Sequence, residues 1–260
     1  MSIDGIIAAS RPAEGGFTVT IPDGWRQGRT TYGGLSSAIG RACARRLVPD
    51  LPPLRSAQIS FVGPVSGDVT FRARLLRQGR NATWVAVEAS NDEGATGFAA
   101  TYLFMGAVES GSLHLHDRPA PDDLIPVDQA VAFAHPLAPS FIENGFDVRF
   151  ALPWREKVPE LCWWVKLKAP PEDDMMGESL MVADALPPGI FTMVGIGAPI
   201  SSMMWQLNYL TARPHTRDHW WLLRSTADYA EKGCSNQQMT VWNADGEAVI
   251  AGIQSVAVFG

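Results

Sequence analysis

The most unusual position in this 260-residue chain is a single acid in an apolar run. Asp184 sits among Leu180, Met181, Val182, Ala183, Ala185 and Leu186. Gly177-Glu178-Ser179 opens the run and Pro187-Pro188 closes it, which reads as a short apolar helix. A carboxylate in such surroundings is partly desolvated. It must be paired, hydrated or used in chemistry, because an unpaired buried charge is costly. Desolvation raises its pKa and makes it a better proton acceptor than a surface acid. A second feature is the loop Gly28-Arg29-Thr30-Thr31-Tyr32-Gly33-Gly34, which opens another helix. Two glycines at a helix start offer backbone N–H groups at the positive end of the helix dipole, with no Cβ in the way. Such an arrangement suits a developing oxyanion. No Gly-x-Ser-x-Gly elbow or Ser-His-Asp order is present, which argues against an acyl-serine route. His114, His116 and His135 have no acidic or cysteine partner at ligand spacing, so no metal site is expected, and no cofactor.

These candidates need elements to place them. The first helix is expected over about Leu35–Val48, with Leu35, Ile39, Ala42, Cys43 and Leu47 near 3.6-residue spacing. Prolines 49, 52 and 53 end it. Four strands follow, over Leu54–Val62, Asp68–Gln78, Thr83–Ser90 and Ala95–Met105. From Glu109 to Pro139 the composition turns to Pro, Ser and Asp, as in a linker. A second set then runs through Phe146–Phe150, Leu161–Lys166, the Asp184 helix, Met203–Leu210, Trp220–Ala230, Asn236–Trp242 and Ala248–Phe259.

Phe17–Ile21 alternates like a strand before the first helix, so the order strand, helix, long strands occurs twice. Asn91-Asp92-Glu93-Gly94 echoes Asn243-Ala244-Asp245-Gly246, Pro64 echoes Pro214, and Gly79 echoes Gly233. Phe104-Met105-Gly106 echoes Phe259-Gly260. Such self-similarity points to an internal duplication of one α+β unit. A helix followed by an antiparallel meander is wrapped by its own sheet. One site per chain is expected: the first helix has the Gly pair and no acid, whereas the second has Asp184.

Bulk properties narrow the function class. The chain is 46% hydrophobic with a net charge of −6 and no basic block, so nucleic acid is not an expected partner. No apolar run reaches membrane-spanning length and the N-terminus does not read as a signal peptide, so a cytoplasmic location is expected. Cys43, Cys162 and Cys234 read as core thiols. Arg41, Arg45 and Arg46 read as a solvated face. The tryptophan pairs Trp163-Trp164 and Trp220-Trp221, and the run Met203-Met204-Trp205, read as core or an oligomer interface.

Tyr32-Gly33-Gly34, Ala183-Asp184-Ala185-Leu186-Pro187, Trp221-Leu222-Leu223 and Gly252-Ile253-Gln254 carry a resemblance across nearly the whole chain. In order and spacing the sequence resembles the double-hotdog acyl-CoA thioesterases of the bacterial type II and peroxisomal kind. The resemblance implies an α+β tandem hotdog, each half a long central helix wrapped by an antiparallel sheet. It divides the chain into an N-terminal hotdog (1–108), a linker (109–139) and a C-terminal hotdog (140–260). It implies hydrolysis of an acyl-CoA by an activated water, with no cofactor. Asp184 takes the acid position and Gln254 the glutamine position of that family. The family's third polar residue, usually Ser or Thr, falls within Trp205-Gln206-Leu207-Asn208, with Asn208 favoured and Gln206 the alternative. Tyr32, Gly33 and Gly34 are expected at the oxyanion and substrate. The alternative reading is a non-catalytic acyl-CoA or acyl-chain binder on the same fold, prompted by the absence of a hydroxyl in that window. A homo-oligomer, dimer or tetramer, is left open by the sequence.

Overall fold

A computed structural model describes residues 2–91, 94–109, 111, 114–136, 138–194 and 198–259. The first half contains α1 (Ile3–Ala8), β1 (Arg11–Ala13), β2 (Gly16–Thr20), β3 (Arg26–Gln27), β4 (Thr30–Thr31), α2 (Gly33–Leu47), β5 (Leu54–Phe61), β6 (Asp68–Gln78), β7 (Ala82–Ser90) and β8 (Thr96–Met105). The second contains α3 (Ser140–Gly145), β9 (Phe146–Phe150), β10 (Glu160–Leu167), α4 (Met175–Ala183), α5 (Phe191–Val194), β11 (Ile200–Tyr209), β12 (Trp221–Glu231), β13 (Cys234–Asn243) and β14 (Ala248–Val258). The expected helices and long strands are present, with ends displaced by a few residues. Asp92 and Glu93 of the first expected turn lie outside the described residues.

Among the described residues, twelve strands form one continuous sheet in the order β1-β2-β6-β7-β8-β5-β11-β14-β13-β12-β10-β9. The halves join where β5 and β11 pair antiparallel, with Gln58 opposite Gln206 at the centre of the ladder. Each half-sheet curls round its own helix, giving an α+β double hotdog. Helices α2 and α4 lie together inside, and one hydrophobic core spans both halves. Alternation explains the sidedness. Trp163, Trp221 and Val241 face inward, whereas Trp164, Leu222 and Trp242 form a smaller outer cluster. The connecting segment covers that outer cluster: Trp164 Nε1 donates to the Ile125 carbonyl and Trp242 Nε1 to that of Arg118.

The duplication extends to the irregularities. The β5–β8 ladder shifts register between Leu54 and Ser56, and the β11–β14 ladder between Ser202 and Met204. The β6–β7 ladder shifts between Leu75 and Arg77, and the β12–β13 ladder between Ala227 and Tyr229. Each bulge has its counterpart in the other half.

Two composition-based expectations are corrected. Cys43 and Cys162 are buried, but Cys234 is exposed at the start of β13. Arg41 is not on a solvated face. It is 4% exposed and pairs with Asp174 at 2.6 Å.

Candidate active site

The acid is placed by the end of its helix. Asp174 caps the start of α4, its carboxylate accepting from the Gly177 N–H at 3.0 Å. All residues from Met176 to Ala183 are buried. Glu178 is buried too, and satisfied: it accepts from Trp221 Nε1 at 2.8 Å and lies 2.9 Å from His219 Nδ1. Asp184 is the residue at which α4 stops. It is half-buried, at the edge of the core rather than within it.

Three groups converge on this carboxylate. Gln254, 3% exposed and on the inner face of β14, donates from Nε2 to Asp184 Oδ1 at 3.2 Å. The Gly34 N–H, in the first turn of α2, donates to the same carboxylate. Gly33 lies so close that a Cβ there would stand 2.5 Å from Asp184 Oδ2 and 2.8 Å from the Phe61 ring. Burial pushes the Asp184 carboxyl up to about 7, and the two donors only partly offset it by favouring the ionised form. The result is a carboxyl that changes protonation near neutrality, backed by a non-titrating amide and by the positive end of α2.

The glycines also explain how α2 and α4 approach. A Cβ at Gly34 would meet the Met181 carbonyl at 2.4 Å and the Tyr32 hydroxyl at 2.6 Å. Tyr32, expected at the oxyanion and substrate, lies in the core. It has no exposed surface, stacks on Phe141 with ring centroids 4.3 Å apart, and donates its hydroxyl to the Met181 carbonyl. It bolts the start of α2 to α4.

The structure does not bring the expected third residue, Asn208 or Gln206, to Asp184. Asn208 and Gln206 are exposed, opposite Ala251 and Ile253 on the outer face of the sheet. Gln254 points inward, opposite Trp205. The sheet therefore separates Asn208 and Gln206 from Asp184. The bulge at Met203 moves Ser202 onto the inner face, where it pairs with the buried Val256, two residues beyond Gln254. A hydroxyl thus stands diagonal to Gln254 on the same face. Strict alternation from Trp205 would have sent Ser202 outward, which is why pattern alone missed it. No local signal in the sequence marks that bulge.

The central Gln58–Gln206 pair defines the pseudo-twofold relation between the halves. Under it Tyr102, opposite Ala57, falls where Gln254 stands opposite Trp205. Leu54 falls where Ser202 stands. Near Gly177, where a Cβ would lie 3.4 Å from Arg41 Nη1, the counterpart of Asp184 is Arg41. The mirrored location holds Arg41, Tyr102 and Leu54 and is closed by the Arg41–Asp174 ion pair. Of the two related locations, the one with Asp184 has the acid, the amide and the hydroxyl.

Residues 21–105 match the model of the acyl-CoA thioesterase N-terminal domain, and residues 113–258 that of the acyl-CoA thioesterase C-terminal domain. No curated protein matches the chain in sequence. Among solved structures, a conserved protein of unknown function with hot dog fold from Alicyclobacillus acidocaldarius superposes with a TM-score of 0.85 at 18% identity, over 99% of this chain and 98% of that one. The tesB protein of Mycobacterium avium subsp. paratuberculosis gives 0.78 at 16% identity, over 100% of both chains. The acyl-CoA thioesterase II TesB2 of Mycobacterium marinum gives 0.73 at 18% identity, over 98% and 97%. At these identities the solved structures bear on the fold alone. The two family matches together span nearly the whole chain, and the chain belongs to the acyl-CoA thioesterase family, as a thioester hydrolase.

Proposed function

We propose that this protein hydrolyses acyl-CoA to a free acid and CoA by water activation at Asp184. The observation that carries the reading is the half-buried Asp184 carboxylate, held by Gln254 and by the glycine-paired start of α2. In this reading the attacking water is held by Asp184 and Gln254, with the Ser202 hydroxyl diagonal to Gln254 on the same face. Asp184 takes one of its protons as the water oxygen attacks the thioester carbonyl. The new oxyanion faces the Gly33 N–H and the positive end of α2. When the tetrahedral intermediate collapses, the C–S bond breaks. The proton held by Asp184 passes to the departing CoA thiolate, which returns the carboxylate to its starting state. No covalent acyl-enzyme forms, and neither metal nor cofactor takes part.

The acyl-CoA binder remains the opposing reading, although its motive weakens once Ser202 supplies an inward hydroxyl. Thiol release from a panel of acyl-CoAs of varied chain length separates the two. Release from at least one member, lost by about 100-fold or more in Asp184→Asn, supports a general base at this position. Tight binding of one member with no release from any favours the binder. Release that Asp184→Asn leaves unchanged removes Asp184 from the mechanism.

A further inference from the structure

The loop after Asp184 is anchored by buried polar groups that the mechanism does not use. Ala185–Ile190 joins α4 to α5 and contains Pro187 and Pro188, which have no N–H to donate. The next two N–H groups both end on side chains of the sheet. Gly189 donates to Ser225 Oγ of β12 at 3.1 Å, and Ile190 to Gln237 Oε1 of β13 at 3.3 Å. Ser225 is 1% exposed and Gln237 is fully buried. Gly189 lies against β12 so tightly that a Cβ would stand 2.9 Å from the Ser225 carbonyl and 2.8 Å from that of Pro159. The other end of the Gln237 amide is held as well. Its Nε2 donates to Ser235 Oγ at 2.7 Å, and Ser235 Oγ donates to the Tyr229 carbonyl at 2.7 Å.

Gln237 has a second neighbour of consequence. In the β13–β14 ladder it stands directly opposite Gln254, and both side chains are buried. Directly opposed residues hold their Cβ atoms about 5 Å apart. One side chain thus borders both supports of the acid: the loop that continues from Asp184, and the amide that donates to it.

We propose that Gln237 is a positioning residue of the thioesterase site, fixing the Asp184 carboxylate relative to Gln254 by holding Ile190 on one side and flanking Gln254 on the other. The inference rests on the roles given to Asp184 and Gln254 under Proposed function. Were Gln237 only filling space in the core, methionine would serve equally well, since it has nearly the same length and volume. Methionine keeps the packing but removes the acceptor for Ile190 and the donor to Ser235. The loop is then free to drift, the acid loses its alignment, and water reaches its carboxylate.

The test compares wild type, Gln237→Met and Asp184→Asn in steady-state hydrolysis of the acyl-CoA that wild type cleaves fastest, from pH 5 to 9. For Gln237→Met, kcat falls about 10- to 100-fold with KM little changed, as expected for misplacement rather than lost binding. The midpoint of its acid limb moves below that of wild type, because a better-hydrated carboxylate gives up its proton more readily. If Gln237→Met does not fold, Ser225→Ala removes the neighbouring anchor at Gly189 and gives the same signature at smaller size. A wild-type kcat and acid limb in the variant that folds overturns the positioning role while Asp184→Asn stays inactive. Hydrolysis that survives in Asp184→Asn overturns the base assignment, and this inference with it.

Discussion

Asp184 is where stability and activity conflict most directly. Burial holds its carboxyl at about 7, against an unfolded value near 4. Between those values the folded chain binds more protons than the unfolded one, so stability falls as pH rises from about 4 to 7. Asn at this position cannot ionise and escapes that loss. Asp184→Asn is therefore expected to be inactive yet more stable than wild type at pH 8, by up to about 4 kcal/mol, with the gap closing toward pH 5. Urea melts at the two pH values measure it. Because the base acts only when deprotonated, wild-type kcat/KM should rise through a midpoint near 7. Ser202 and Asn208 give a paired residue-scale prediction. Ser202→Ala should lower kcat by about 10-fold or more with the fold intact, whereas Asn208→Ala, on the outer face, should leave kcat within about twofold. Steady-state kinetics on both variants decides whether the inward hydroxyl or the outward amide belongs to the site.

At the scale of elements, the site is a contact between the start of one helix and the end of another. That contact needs Gly33 and Gly34, because side chains there would collide with the Asp184 carboxylate and the Met181 carbonyl. The Met181 carbonyl is backbone and cannot swing aside. Gly34→Ala should cost about 1–3 kcal/mol in urea denaturation through overpacking. Gly33→Ala meets instead the carboxylate and the Phe61 ring, which can move, so it should reduce activity more than stability. Neither consequence was legible in the sequence, where the Gly pair read as an unobstructed helix start offering N–H groups. The helices and long strands were legible, because periodicity and proline stops are local signals. The bulge at Met203 was not, since a one-residue shift in pairing leaves no mark in alternation.

For the whole molecule, duplication produced two related locations, and divergence left acid, amide and hydroxyl in one. Calorimetric titration with a non-hydrolysable acyl-CoA analogue should accordingly give one site per chain, and a stoichiometry of two would show that the Arg41 location also binds. The proposed site draws on both halves, since Asp184 and Gln254 come from the second and Gly33 and Gly34 from the first.

The sequence alone determined the α+β repeat, the family resemblance, and the pairing of an acid on one helix with a glycine-rich entrance on the other. These follow from hydrophobic period, helix and turn signals, and residue order, which are properties of the chain as written. The tertiary structure decided which polar side chains share a face with Asp184. It moved Asn208 and Gln206 to the outside, brought Ser202 in, turned Tyr32 from a substrate contact into a bolt between helices, and paired Arg41 with Asp174. Sheet register, bulges and the closeness of helix packing set those outcomes. They depend on residues far apart in the chain, so no local pattern carries them.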